Sequence, residues 1–188
     1  MGLGRCFDNF RMGYALVHYA LLTASALYPE PDFEVALYGF GLYTDILLQL
    51  IDEGKLPRGF TRYIHDFAMA LKEMDLIRLA TIMNRLVHDV ATRPEIPTTL
   101  RHAVQISRMV HEIEALIDVD EVDEALNRLN DLINYISEHK SEILKCVPED
   151  VIDRILGRLK EVLELLGKTP LPKDEIFARF VEIHQEFL

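Results

Sequence analysis

From Phe60 to Val90 the apolar side chains fall at Phe60, Ile64, Phe67, Leu71, Met74, Leu79, Ile82, Leu86 and Val90, three to five residues apart. That spacing stacks them along one side of an α-helix and would scatter them over both faces of a strand. The same period runs through nearly the whole chain, and no run of β-branched residues alternates apolar with polar. The fold class is therefore all-α: an irregular multi-helix bundle of seven or eight helices with no β-sheet.

Punctuation sets the expected boundaries. The first helix runs from about Asp8 to Tyr28 and stops at Pro29 and Pro31; the second runs from about Phe33 to Asp52, before the Gly54–Gly59 turn. Both are apolar nearly all round, and Gly39 and Gly41 in the second are expected to admit a close neighbouring helix. Asp75 is expected to split the Phe60–Val90 stretch by capping its second half. After a loop from Ala91 to Pro97, Thr98 or Thr99 starts a helix to about Ile117, and Asp118–Asp120 starts another. Pro148 opens a helix that ends at Gly167, and Asp174–Phe187 forms the last. A chain of 188 residues suits one domain, 1–188, with a possible subdivision into an apolar half, 1–92, and an acidic half, 97–188.

The net charge of −11 argues against broad nucleic-acid binding, which needs Lys and Arg to displace counterions from phosphates. The charge is uneven, however. Residues 61–110 hold 7 basic and 5 acidic groups, whereas residues 111–188 hold 9 and 19. Six of those seven central bases are Arg, so a positive middle sits between acidic ends. Two cysteines, Cys6 and Cys146, are too few for a disulfide framework and lack zinc-site spacing, so a reducing, cytoplasmic setting is the expectation. Scarce Gln, Asn and Trp beside plentiful Glu, Arg and Leu lean toward a thermophile. The uncharged run from Met12 to Pro29 resembles the apolar part of a signal peptide. It carries Tyr14, His18, Tyr19 and Thr23, though, and is read as a buried helix, with no membrane role.

Within the positive middle, Arg78, Arg85 and His88 stand at offsets 0, 7 and 10, and Arg101, Arg108 and His111 repeat those offsets. At about 100° per residue, each set falls within about 80° on one helix face. If the two helices form an antiparallel hairpin, the six make one patch for a phosphate, a carboxylate or an acidic partner. Pairing with the chain's own acids is the competing expectation. No metal site or cofactor is expected: no His has a Glu three residues before it. The reversed pairs His111-x-x-Glu114 and His139-x-x-Glu142 read as surface contacts. No phosphate loop, nucleophile elbow or activated thiol is present, so no catalytic residue is assigned.

Asn84-Arg-Leu-Val-His88 resembles the Arg-Asn-x-x-x-His motif of HEPN domains, helical bundles found in many RNases. The resemblance covers about six residues and carries over only Asn84 and His88. Met83 stands where that family has Arg, and Val90 where it often has Tyr, so the resemblance implies an RNA-associated protein with a degenerate nuclease motif. Three functions follow in order. The first is a non-enzymatic helical interaction protein, acting as a homo-oligomer or as a subunit bound to a protein partner. The second is the HEPN-like reading, in which nucleic acid is possible but not favoured. The third is a small-molecule pocket among Phe10, Tyr14, Tyr19, Phe40, Tyr43, Tyr63 and Phe67.

Overall fold

The computed structural model describes residues 3–188, and among these every regular element is helical. The helices are α1 (Leu3–Ser25), α2 (Phe33–Asp52), α3 (Thr61–Lys72), α4 (Leu76–Thr92), α5 (Thr98–Asp118), α6 (Val122–Glu138), α7 (Lys140–Ile143), α8 (Glu149–Leu166) and α9 (Lys173–Phe187). A single 3₁₀ turn, Arg58–Phe60, precedes α3. The count exceeds the expected seven or eight because α7 is one turn long, too short to show an apolar period.

Local chemistry explains the breaks. Asp32 and Asp75 each accept a backbone N–H three residues on, at 3.1 and 2.9 Å, and so cap α2 and α4. Asp75 splits the long stretch as its sequence suggests. Met74 does not join the apolar stripe there: it adopts φ 53° and is exposed, forming the left-handed link between α3 and α4. Asp120, at φ 63°, turns the chain between α5 and α6 in the same way. It is one of the residue types that tolerates this conformation, and α6 consequently starts at Val122 rather than at Asp118.

Two compact units make up the chain: residues up to Arg11 with Ile106–Leu188, and Met12–Gln105. Both division points lie inside helices, α1 and α5, and not at the Ala91–Pro97 loop where the composition changes. In the Met12–Gln105 unit one core cluster gathers Leu16, Val17 and Ala20 of α1, Tyr43, Leu47 and Leu50 of α2, and Tyr63 and Phe67 of α3. Leu79, Leu86 and Val90 of α4 and Leu100 and Val104 of α5 complete it. Phe40, Tyr43 and Phe67 stack inside it with ring centroids 4.9 to 6.3 Å apart. Three of the seven aromatic residues of the expected pocket, Phe40, Tyr43 and Phe67, thus pack against one another.

Close approach explains one glycine of α2 and not the other. A Cβ on Gly39 would lie 2.7 Å from Thr23 Oγ1 and 3.2 Å from the Tyr19 carbonyl, whereas one on Gly41 would meet nothing within 4 Å. The Thr23 hydroxyl cannot swing aside cheaply, because it donates to Tyr19 O at 2.8 Å.

In the other unit the start of α1 is tied three times, to the turn between α7 and α8 and to the end of α9. Cys6 and Cys146, read from sequence as separate thiols, are joined in a disulfide with Cα atoms 4.9 Å apart. Phe10 packs on Phe187 at 5.1 Å, and Arg11 donates to the carbonyls of Phe187 and Leu188 at the end of α9. A guanidinium there also meets the negative end of the helix dipole. Part of the acidic surface of this unit is paired in place. Arg154 bonds Asp150 and Glu186, Arg158 bonds Glu161 and Glu182, and Arg128 reaches Glu112, Glu124 and Asp131.

Two outcomes follow for stability. Gly39→Ala should destabilise by about 1–2 kcal/mol, overpacking outweighing the better helix propensity, while Gly41→Ala should stabilise by about 0.5–1 kcal/mol. Urea unfolding of both variants checks the pair. Cys146→Ser should cost about 5 kcal/mol under oxidising conditions, since the bond spans 140 residues of separation; dithiothreitol should bring wild type down to the variant.

Candidate functional site

The six residues of the expected cationic patch divide between the units. Arg78, Arg85, His88 and Arg101 belong to the Met12–Gln105 unit, and Arg108 and His111 to the other. Three of the six are engaged locally. Arg78 Nη1 donates to Glu73 at 2.6 Å, Arg101 Nη2 to Thr98 at 2.8 Å, and Arg108 Nη1 to Glu112 at 3.0 Å. Arg85 and His88, one turn apart on α4, are exposed, as is Asn84. Among the described residues the Arg85 guanidinium meets no carboxylate.

Beside them lies a network that sequence reading did not single out. Asp89 accepts from Tyr63 Oη at 2.6 Å and from Arg62 Nη2 at 2.7 Å, with Arg93 Nη2 at 3.6 Å and His88 Nδ1 at 3.7 Å. The Tyr63 hydroxyl bond, then Arg93 and Arg62, hold the Asp89 carboxyl below its ordinary range. Arg93 also lies over the Phe60 ring at 5.4 Å. The network locks α3 to α4 and supplies one anion to several cations. Arg62 and Tyr63 reach it from α3, so spacing along α4 announces only its i,i+4 contact with Arg93.

The other unit contains a second cluster that sequence reading treated as surface contacts. His111 of α5 and His184 of α9 lie ring to ring with centroids 4.8 Å apart. His111 Nδ1 is 2.7 Å from Ser107 O, and His184 Nε2 is 3.2 Å from both carboxylate oxygens of Glu114. Burial, then the neighbouring His184, pushes His111 down to about 4, so its imidazole is neutral at physiological pH. His111 thus faces inward and adds no charge to a solvent-facing stripe.

Several exposed large apolar side chains cluster on α2. Ala36, Gly39, Tyr43, Leu47 and Leu50 face the core, as the helical period requires. Phe33, Leu37, Gly41 and Leu48 form a second ridge at i, i+4, i+8 and i+15, and it is exposed: Phe33 by 54%, Leu37 by 61% and Leu48 by 39%. Tyr38, beside the ridge, is exposed by 63%. Singly, such residues are unremarkable on a surface; Phe33 and Leu37 adjoin one turn apart, and Leu48 lies farther along the same sector, beyond Gly41 and Thr44. At about 100° per residue, Glu34, Asp45 and Asp52 all fall 60–80° to one side of Leu37, so the ridge has an acidic edge. Between Met12 and Gly54 there is no Lys or Arg at all. By length and composition α2 could also cross a membrane.

No family model, no curated protein and no solved structure matches this chain.

The Asp89 network carries a pH signature. A carboxyl whose folded value lies below its unfolded one adds stability above about pH 4, and that stability is lost as pH falls through the folded value. Asp89→Asn should therefore be less stable than wild type by about 1 kcal/mol at pH 7. The difference should narrow steadily below about pH 4, in urea unfolding at pH 7, 4 and 3. A gap constant across that range would mean the charge on Asp89, facing Arg62, Arg93, Tyr63 and His88, is not what stabilises the contact.

Proposed function

We propose that this chain is a non-enzymatic interaction protein, a subunit that docks a partner helix on the outer face of α2. The observation that carries the reading is the exposed ridge Phe33–Leu37–Gly41–Leu48 with its acidic edge. Covering a ridge of that length removes several large apolar side chains from water at about 25 cal/mol per Å². Gly41 at its centre lets a second helix approach closely, the use the sequence suggested for it.

Charge selects the occupant. A second copy would bring acidic edges together with no Lys or Arg from this region to answer them, whereas an amphipathic helix flanked by Lys or Arg answers each. The same acids disfavour an anionic membrane surface. Asp45 within the helix and the burial of its other face support docking over spanning. RNA association has less support, because Arg78, Arg101 and Arg108 bond the chain's own side chains and only Arg85 and His88 of the six stand exposed. A cytoplasmic setting and the Cys6–Cys146 bond meet in a hyperthermophile, whose intracellular proteins retain disulfides, and the composition leans that way.

A fluorescein-labelled 18-residue helix of Leu and Lys in amphipathic register serves as probe, with its Leu/Glu counterpart as control. Wild type, monomeric by size exclusion with light scattering, should bind the Lys helix in a salt-sensitive manner and ignore the Glu helix. Leu37→Glu should weaken binding at least about tenfold. A wild-type dimer that Leu37→Glu dissociates would keep association as the function and replace the partner by a second copy. A monomer that binds neither helix would remove the reading.

A further inference from the structure

Arginine binds phosphate well when its planar fork is held in place before the ligand arrives, because little side-chain freedom is then lost. Two guanidiniums at the α3–α4 contact meet that condition. Arg62 lies over the Tyr63 ring at 5.0 Å and Arg93 over the Phe60 ring at 5.4 Å, and both rings are buried. Their Nη2 atoms stand 2.7 and 3.6 Å from the same oxygen, Asp89 Oδ2, and so no more than about 6 Å from each other. One tetrahedral anion bridges such a gap with charge-assisted bonds of about 2.8 Å. Among the described residues Arg62 spends only Nη2, on Asp89 and Tyr63. Arg93 reaches Asp89 and Glu95 at 3.6 and 3.7 Å, beyond hydrogen-bond range. The other donors of both forks are open to water, the side chains being 55% and 39% exposed, while Asp89 between them is mostly covered.

We propose that Arg62, Arg85 and Arg93 bind a dianionic phosphate, free or as a small monoester. Arg85 is the third arm: it precedes Asp89 by one turn as Arg93 follows it by one turn. Its backbone carbonyl lies 3.4 Å from the same Tyr63 hydroxyl that donates to Asp89. Its guanidinium, exposed and without an ion pair among the described residues, can swing onto a ligand. His88, 73% exposed, adds a further donor. The acids close by are Asp89, Glu95 beside Arg93, and Asp66 on α3, which lies 3.6 Å from His65. A phosphate monoester carries close to two charges at neutral pH and three strong acceptor oxygens, which suits three forks set around one point. A nucleic-acid backbone instead strings single charges along a line, and a net charge of −11 opposes a long polyanion. The site rests on α3, α4 and Arg93 alone, so its failure would leave the α2 reading untouched.

The test titrates the whole chain with inorganic phosphate, and separately with adenosine 5′-monophosphate, at pH 7.5 and constant ionic strength. Arginine Nε–H resonances in ¹H–¹⁵N spectra report the binding, and those of Arg62, Arg85 and Arg93 should shift on one saturating curve. Tighter binding of the nucleotide identifies an ester as the source, and equal affinity identifies free phosphate. Arg85→Gln removes no side-chain contact of the fold and should weaken binding at least about tenfold, the loss expected of a charge-assisted bond. Lys168→Gln, in the other unit, should leave it unchanged. The proposal is overturned by any of four results: no saturable shift, shifts shared equally by Arg154 and Arg158, an Arg85→Gln affinity equal to wild type or matched by the loss in Lys168→Gln, or tighter binding of a 5′-hydroxyl RNA oligonucleotide than of the nucleotide at these residues.

Discussion

A helix can bury only the side it turns to a core, and α2 is apolar on more than that side. Its inner face, from Ala36 through Tyr43 to Leu50, sits among α1, α3 and α4, and Gly39 brings its backbone close to Thr23. Everything else in the Met12–Gln105 unit is arranged about that contact. The aromatic rings of α2 and α3 fill the space beside it, and α4 closes the cluster with Leu79, Leu86 and Val90. One helix surface is thereby consumed and the opposite one, with Phe33, Leu37 and Leu48, is left facing water. An apolar face that persists in a chain rich in acids is a stability liability, and a binding partner turns such a face into a source of free energy.

Polar groups are handled differently in the two units. In one, a single carboxylate, Asp89, gathers a tyrosine and two arginines at the α3–α4 contact. In the other, arginines are distributed along α6, α8 and α9, each between two or more acids. Exposed pairs of this kind contribute little singly, but networks in which one guanidinium bridges several carboxylates hold better, the more so at high temperature. The same arrangement neutralises most cations that could otherwise have served an external anion. The histidine pair stands apart: its rings lie side by side at the α5–α9 contact, and burial, then the neighbouring imidazole, lowers His111.

Much of the secondary structure was legible. Asp75 as a cap, the Phe33–Asp52 bounds of α2 and the ends of α8 at Pro148 and Gly167 follow from local chemistry, since a cap or a proline acts within a few residues of itself, whereas α1, expected over Asp8–Tyr28, runs Leu3–Ser25. The candidate sites were less so. Offsets of 0, 7 and 10 place Arg78, Arg85 and His88 on one face, but they are silent about which acid lies beside each. Glu73 and Glu112 reach Arg78 and Arg108 from nearby in the chain, whereas Tyr63 reaches Asp89 from another helix.

By itself the sequence determined that this protein is all-α and where several of its helices, α2, α4 and α8 among them, begin and end, because the 3.6-residue period and the capping residues act locally. Only the tertiary structure decided which apolar face of α2 is covered, that Cys6 meets Cys146, that the units divide inside α1 and α5, and that His111 faces His184. Each of those depends on residues tens of positions apart being brought together, and a helix's own period records that it has a face without recording what that face will meet.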